Sequence, residues 1–325
     1  MRRRIGFVGA GNIAKYHIEA ARGAGFELFG ICAKPNSERA NLLAAEYGFL
    51  NSANDINQLK DLGLDAVAVV VETRAALEVY RQLLELQIPI LIEKPVSVFA
   101  PEFEAELDLE RESTLVGFNR RFYASVGILK GLIDIEGITQ SHWNISELPS
   151  SVHASLEDRT RMLKENSIHA FDLMRFLLGE FEAMQVEQQF DGVGLQAASA
   201  VCRMKSGSIA TISLSFGVPS NTAVDFYTKS HNLQLKPIEM FHDYSSIEII
   251  EPGNGIPFKQ YKPKETSPWT IPKDDLDFKP GFLEQYKEFH RMVQGESRRF
   301  GASLRDCQLA LNLANSLENG GLVNF

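Results

Sequence analysis

The hexapeptide Gly9-Ala10-Gly11-Asn12-Ile13-Ala14 follows directly on the apolar run Ile5–Val8, and that succession narrows the fold more than any other feature of the chain. An apolar run that ends in glycines reads as a buried strand turning sharply into a helix, here Asn12–Arg22. The first glycine makes the turn, the second lets a pyrophosphate approach the backbone, and the small Ala14 lets the helix pack close to the strand. Free N–H groups at the positive end of the helix then face the phosphates. The string alone is also met in turns that bind nothing. Its strand before, helix after and N-terminal position favour a dinucleotide site with Gly9, Gly11, Asn12 and Ile13 at the cofactor.

The next hundred residues alternate strand and helix. Glu27–Cys32 reads as a strand, and Ser37–Tyr47 as a helix closed by Gly48, where a left-handed cap is wanted. Asp65–Val71 is nearly continuous in β-branched residues, which suits a strand buried on both faces of a parallel sheet. Ala75–Leu86 has apolar residues at helical spacing, Pro89–Ile92 is a further strand, Pro101–Arg111 a helix and Thr114–Phe118 a strand. Alternation of this kind predicts a doubly wound parallel sheet, a Rossmann domain over residues 1–119.

After residue 120 the pattern changes. In Ala210-Thr211-Ile212-Ser213-Leu214-Ser215-Phe216 polar and apolar residues alternate, as on a sheet with one face packed and the other open. Ala198–Met204 joins it through the turn Lys205–Ser208, and Ala223–Thr228 and Ser246–Ile250 read as further strands. Helices are expected at Asn166–Leu178, Phe282–Met292 and Leu304–Leu317, and a long surface loop at Glu251–Pro280. Residues 120–325 thus predict an α+β domain with a mostly antiparallel sheet, whose C-terminal helices could pack back on the first domain. Its Ser/Thr face points to water or to another subunit, hence to a homo-dimer or homo-tetramer.

Bulk properties exclude several functions. The 325 residues carry a formal net charge of −9, which disfavours nucleic acid or an anionic membrane as partner. Cys32, Cys202 and Cys307 are far apart and odd in number, so they imply no disulfide framework. The basic start at Arg2–Arg4 lacks the apolar run of a signal peptide, and no stretch reaches the ~18 apolar residues of a membrane span. A cytoplasmic protein is expected.

Two further stretches carry chemistry. Glu93-Lys94-Pro95 stands at the end of the Pro89–Ile92 strand, where parallel sheets bind ligands. Lys94 is placed there as a proton donor or electrostatic anchor, although such a tripeptide is often only a surface turn. Glu165, His169 and Asp172 are spaced four and three apart and would share one helix face. His169 suits general acid/base work because its intrinsic pKa is near neutrality; a helix-start histidine satisfied by Asp172 is the plainer account. No HExxH or Cys/His cluster suggests a metal. The second strand ends in Ala33-Lys34-Pro35-Asn36 without the carboxylate that accepts the ribose 2′-hydroxyl of NAD, and Lys34 could pair with a 2′-phosphate. The cofactor expected is NADP or NAD, with the balance toward NADP.

These stretches, with Thr73 after the fourth strand, Gly117-Phe118-Asn119-Arg120-Arg121-Phe122, His169-xx-Asp172-xx-Arg175 and Ser303-Leu304-Arg305-Asp306, together resemble the Gfo/Idh/MocA family of oxidoreductases over essentially the whole chain. The resemblance implies hydride transfer between nicotinamide and a secondary alcohol or ketone of a sugar, cyclitol or nucleotide-sugar. It implies Lys94 between nicotinamide and substrate, His169 as acid/base with Glu165 beside it, Thr73 and Glu93 at the cofactor, and Asn119, Arg120 and Asp172 at the substrate. Arg121, Arg159 and Arg161 are further candidates for an anionic substrate group. The chain departs from the family's habit in having Glu165 where Asp is common, and Thr73-Arg74 with Glu78 where Thr-Pro and a histidine are common. Two other readings are a cofactor-sensing regulator of the same fold, which would not need Lys94 and His169, and a glycosidase-like enzyme with recycled NAD.

Overall fold

The computed structural model describes residues 2–98, 111–148, 155–253, 255–266 and 268–325. The helix expected at Pro101–Arg111 lies outside the described residues, apart from Arg111. Two compact units emerge. One comprises Met1–Tyr123 and Lys273–Leu313, the other Ala124–Pro272 and Ala314–Phe325. The units therefore cut across the linear division at residues 119 and 120, because the chain re-enters the first unit near its end.

The first unit holds a six-stranded sheet in the order β3-β2-β1-β4-β5-β6. The strands are Arg4–Val8 (β1), Glu27–Cys32 (β2), Asn51–Ala53 (β3), Ala66–Val69 (β4), Ile90–Ile92 (β5) and Thr114–Val116 (β6). Every pairing is parallel. Helices Ala14–Gly23 (α1), Glu38–Tyr47 (α2), Ile56–Lys60 (α3) and Thr73–Leu83 (α4) connect the strands. The local signals act as expected at α2: Ser37 accepts the Ala40 N–H, and Gly48 closes the helix at φ 72°. β3 and α3 were not expected from the sequence. The strand is three residues long and the helix five, too short to show a period.

Helix Phe282–Val293 (α9) belongs to this first unit. It buries Phe282, Tyr286, Phe289 and Met292 in one cluster with Ile5, Ile18 and Phe26. At roughly 1.5–3 kcal/mol for each fully buried large apolar side chain, this face secures α9 against α1 and β2. The next helix, Leu304–Asn319 (α10), opens with a reciprocal cap. Ser303 Oγ accepts the Asp306 N–H at 2.9 Å, and the Ser303 N–H donates to Asp306 Oδ2 at 2.9 Å. The Ser-x-x-Asp string thus marks a helix start.

The second unit is built on a nine-stranded sheet, β14-β13-β12-β11-β7-β10-β9-β8-β15. Its strands are Gln140–Glu147 (β7), Phe181–Phe190 (β8), Leu195–Met204 (β9), Ile209–Phe216 (β10), Ala223–Tyr227 (β11), Asn232–Leu235 (β12), Phe241–Ile250 (β13), Gln260–Glu265 (β14) and Gly321–Asn324 (β15). All pairings are antiparallel except β7 with β10. The alternation in β10 has its expected consequence: Ala210, Ile212, Leu214 and Phe216 are buried, whereas Thr211, Ser213 and Ser215 are not. Helices Ala124–Glu136 (α5), Leu156–Glu165 (α6) and Ile168–Leu178 (α7) lie in this unit.

The stretch Glu251–Pro280 is not simply a loop. It contains β14 and the short helix Lys273–Asp277 (α8). β13 and β14 form a ribbon with Ile249 opposite Tyr261, Ile247 opposite Pro263 and Glu248 opposite Lys262. A proline and alternating lysines in an exposed strand mask the β signal, as is usual where a strand lies at a sheet edge.

Arg159 of α6 ties that helix to the β8–β9 turn. Its guanidinium donates to Asp191 Oδ2 at 2.9 Å and to the Leu195 carbonyl at 3.1 Å. Asp191 also accepts the N–H groups of Val193 and Gly194. Arg159 and these backbone donors hold the Asp191 carboxyl down to about 2. A depressed folded-state pKa adds stability above the unfolded value near 4, and that stability is lost as pH falls through the folded value. The melting temperature is therefore expected to drop more steeply between pH 4 and pH 2 in the parent chain than in Asp191→Asn. Parallel pH curves for the two proteins would contradict this.

Candidate active site

The C-terminal ends of β1, β2 and β4 enclose a cleft of about 460 Å³ lined by Val8–Gly11, Ala33, Lys34, Ser37, Ile56, Val70–Glu72, Ala75 and Val79. Gly9 has φ +111°, and a Cβ there would lie 2.4 Å from the Val70 carbonyl oxygen. No other residue fits this approach of β1 to β4. A Cβ on Gly11 would meet nothing nearer than 4.0 Å, and Gly11 is exposed; its open side leaves space for phosphate. Ala14, the first residue of α1, is fully buried. The α1 cap residue, Ile13, supplies no side-chain acceptor to the helix start. A glycine cradle before an uncapped helix N-terminus fits a pyrophosphate.

Not every expected cofactor residue lines this cleft. Asn12 and Ile13 lie just beyond its lining, and Thr73 opens α4 while Glu72 and Ala75 border the space. Glu93 and Lys94 are not part of it. Glu78 is solvent-facing, accepting a bond from Gln82. At the end of β2, Lys34 is exposed and lies 3.7 Å from Glu72. Arg39 of α2 donates to Asn12 Oδ1 at 2.6 Å. Arg39 escaped the sequence reading because it stands on a helix past the strand end, one turn beyond Lys34. Lys34 thus lines the cleft and Arg39 stands just outside its lining on Asn12, with Ser37 between the two cations in sequence.

Glu93 and Lys94 follow β5 directly, at the edge where ligands bind in such sheets. Both are partly buried, and the Lys94–Pro95 peptide is cis. The Lys94 N–H donates to Glu93 Oε2 at 3.2 Å. Burial raises the Glu93 acid, but His17 and Lys94 outweigh it, and the carboxyl is held below its ordinary range. The turn Asn119–Phe122 follows β6. Asn119 is buried and its amide donates to the Pro280 carbonyl, a scaffold contact. Arg120 is partly exposed. Arg121 is not a free anion clamp: its guanidinium is buried, 3.5 Å from Asp306 and bonded to the Phe300 carbonyl.

In the second unit the helix expected at Asn166–Leu178 is present but starts two residues later, and a separate helix that the sequence reading did not expect precedes it. α6 ends at Glu165 with Asn166 as its cap, and α7 begins at Ile168. Glu165 and His169 therefore stand on consecutive helices, and the i, i+4 argument for one shared face does not hold. The break arises where Asn166 and Ser167 turn their side chains to Glu147 at the end of β7; Ser167 Oγ donates to its carboxylate at 2.7 Å. Asn and Ser commonly divert a helix in this way. Glu165 lies 3.8 Å from Arg161. His169 is partly exposed, whereas Asp172 is 1 % exposed, so its carboxyl faces protein. Arg159 is buried and engaged by Asp191, which removes it as an anion-binding candidate, whereas Arg161 is exposed and pairs with Asp158 on the surface. Glu147 was missed because nothing in its strand distinguishes it from a surface glutamate.

Among the described residues no group of three His, Cys, Asp or Glu could hold a metal ion, and no helix is long and apolar enough to cross a membrane. The three thiols are buried. Burial pushes Cys32 and Cys202 up to about 12, so neither is a nucleophile near neutrality.

Comparison with known proteins agrees with this geometry. Residues 3–118 match the family model GFO_IDH_MocA, an oxidoreductase family with an NAD-binding Rossmann fold. An inositol 2-dehydrogenase of Rhizobium meliloti is 27% identical over 229 residues, covering 65% of this chain and 68% of that protein. The rhizopine catabolism protein MocA of Rhizobium meliloti is 24% identical over 239 residues, covering 68% and 74%. A levoglucosan dehydrogenase solved with NADH superposes over 100% of this chain and 99% of its own, at TM-score 0.80 and 17% identity, which establishes a shared fold. Over residues 3–118 the chain thus matches the Gfo/Idh/MocA oxidoreductase family with its NAD-binding Rossmann fold, and beyond them the likeness to solved structures is one of fold.

Proposed function

We propose that the protein is an NAD(P)-dependent dehydrogenase or reductase acting on a secondary CH–OH group of a sugar, cyclitol or nucleotide-sugar. The observation that carries this is the glycine cradle at Gly9 and Gly11 before the uncapped start of α1. The names of its relatives, an inositol 2-dehydrogenase and a levoglucosan dehydrogenase, support the substrate class. The nicotinamide supplies the hydride chemistry. Lys94 stabilises the charge that develops on the substrate oxygen, and His169 takes or gives its proton. Glu165 assists His169, and Arg120 contributes to substrate recognition, whereas the buried Asp172 carboxyl faces protein. The test is a polyol and nucleotide-sugar panel read at the nicotinamide absorbance. Turnover on one substrate class is expected; tight cofactor binding with no turnover anywhere would favour a cofactor-sensing protein instead.

The preferred cofactor in this reading is NADP. Lys34 and Ser37 line the cleft, Arg39 stands just outside it on Asn12, and β2 is followed by Ala33 rather than a carboxylate. Two exposed cations on a 2′-phosphate are each worth about tenfold, close to 1.4 kcal/mol. Lys34→Ala with Arg39→Ala is expected to weaken NADPH binding by about 100-fold and to leave NADH within threefold, as read by fluorescence titration. Equal losses for both nucleotides would show that these cations do not read the phosphate.

The open face of the nine-stranded sheet supports a homo-dimer or homo-tetramer. His142, Asn144, Ser199, Thr211, Ser213 and Asp225 border a shallow depression there, and Val201 is 57% exposed in its midst. Light scattering at the mass of a single chain would overturn this assembly.

A further inference from the structure

Behind the strand-end lysine lies a buried group that the proposed reaction does not use. His17 of α1 is 0% exposed. Its Nδ1 is 3.0 Å from the Tyr286 hydroxyl of α9, and its Nε2 is 2.9 Å from Glu93 Oε1 at a poor hydrogen-bond angle. Tyr286 is fully buried, and burial, with the Glu93 charge, raises its phenol well above the ordinary value, so it remains an O–H donor. A carboxylate oxygen 2.9 Å from Nε2 requires a proton on that nitrogen, because two lone pairs at this distance repel. In the neutral ring Nδ1 is then the acceptor. The order runs from the Tyr286 O–H to His17 Nδ1, and from the His17 Nε2–H to Glu93.

The slot for Glu93 is built to hold it. A Cβ on Gly117 would come 2.7 Å from Glu93 Oε1, so the backbone past β6 presses on the carboxyl. The other oxygen accepts the Lys94 N–H. His17 and Lys94 keep Glu93 ionised against its burial, and by reciprocity the Glu93 charge favours the ammonium form of Lys94. An imidazole alone in a core would be a poor choice, since burying an unpaired polar ring is costly; between a phenol and a carboxylate it has a role.

We propose that Tyr286, His17 and Glu93 form a buried relay that keeps Glu93 anionic and so holds Lys94 charged at the end of β5. His17 and Tyr286 are positioning residues in this account, and the catalytic consequence rests on the role given to Lys94 above. The titratable groups bearing on Glu93 are His17 from α1, Tyr286 from α9 and Lys94 beside it.

The experiment is ¹³C reductive methylation of the full chain, with the Lys94 resonance assigned by its loss in Lys94→Arg and titrated against pH. Glu93→Gln is expected to lower the Lys94 midpoint by about one unit. His17→Phe lowers it in the same direction, because the Glu93 carboxylate without its donor is no longer held in place beside Lys94. His17→Gln, which can present an N–H, restores it at least in part, and Tyr286→Phe gives a smaller drop. Near-ultraviolet circular dichroism reports folding in each case. If His17→Phe does not fold, Glu93→Gln and Tyr286→Phe decide: parent-like midpoints in both would overturn the relay. A midpoint unmoved in a folded His17→Phe would overturn it as well. Should the midpoint shift as expected while Lys94→Ala turns over normally, the relay stands and the role given to Lys94 fails.

Discussion

Lys94→Ala is expected to lower kcat by about 10²–10³-fold, the usual cost of removing a preorganised group that stabilises an oxyanion, while NADPH and NADH bind within threefold of the parent. The separation follows from the geometry. The cleft at the ends of β1, β2 and β4 is lined by residues from Val8 to Val79 and does not include Lys94, which follows β5. The ammonium would act only as charge builds on the substrate oxygen, so its loss belongs in kcat rather than in cofactor affinity. Lys94→Arg is expected to recover little. A planar guanidinium occupies more room than a compact ammonium, and the position is partly buried beside the constrained Pro95. Steady-state kinetics and cofactor titrations on the same preparations check the pair. Normal turnover in Lys94→Ala would reduce Glu93-Lys94-Pro95 to a strand-end turn; equal loss of cofactor binding and turnover would make Lys94 a cofactor anchor.

Much of this site was legible in the sequence, for reasons that differ by residue. Gly9 announces itself because only glycine tolerates φ +111° against the Val70 carbonyl, and a chemical necessity of that kind leaves one letter to read. Lys94 could be placed because β5 is a short buried run whose end is unambiguous. Glu165 and His169 show the opposite case. Their spacing suited one helix, but Asn166 and Ser167 bond to Glu147, and a tertiary partner nineteen or more residues away cannot be seen in a local period. His17 was hidden more completely. Its meaning depends on Glu93 and on Tyr286, 269 positions distant. As a single polar letter in an amphipathic helix it reads only as an interruption.

The re-entry of the chain into the first unit was likewise only half visible, and it rests on one side chain that makes the second large prediction. Glu288 of α9 is 1% exposed. Its Oε1 accepts the N–H groups of Arg299, Phe300 and Gly301 at 3.0, 2.9 and 2.7 Å, and Oε2 lies 3.4 Å from the Arg291 guanidinium. This carboxylate therefore satisfies the backbone of the turn that leads into Ala302, whose carbonyl accepts the Val116 N–H of β6 at 2.9 Å. The turn has no slack, since a Cβ on Gly301 would fall 2.0 Å from Leu115 Cδ1. Glu288→Ala strands three donors in a packed region. At about 1–3 kcal/mol for each unsatisfied group, with incomplete additivity, the loss is expected to be about 3–5 kcal/mol. Glu288→Gln keeps an acceptor oxygen at the same place and gives up only the charge-assisted part, so about 1–2 kcal/mol is expected. Against a total of roughly 5–15 kcal/mol for a folded domain, the first change brings the unit near its limit and the second does not. Urea unfolding reads the difference as a shift of the midpoint at constant slope. A loss below 1 kcal/mol in Glu288→Ala would mean that water or another side chain takes over the three N–H groups. The anchoring of α9 would then rest on its aromatic face alone.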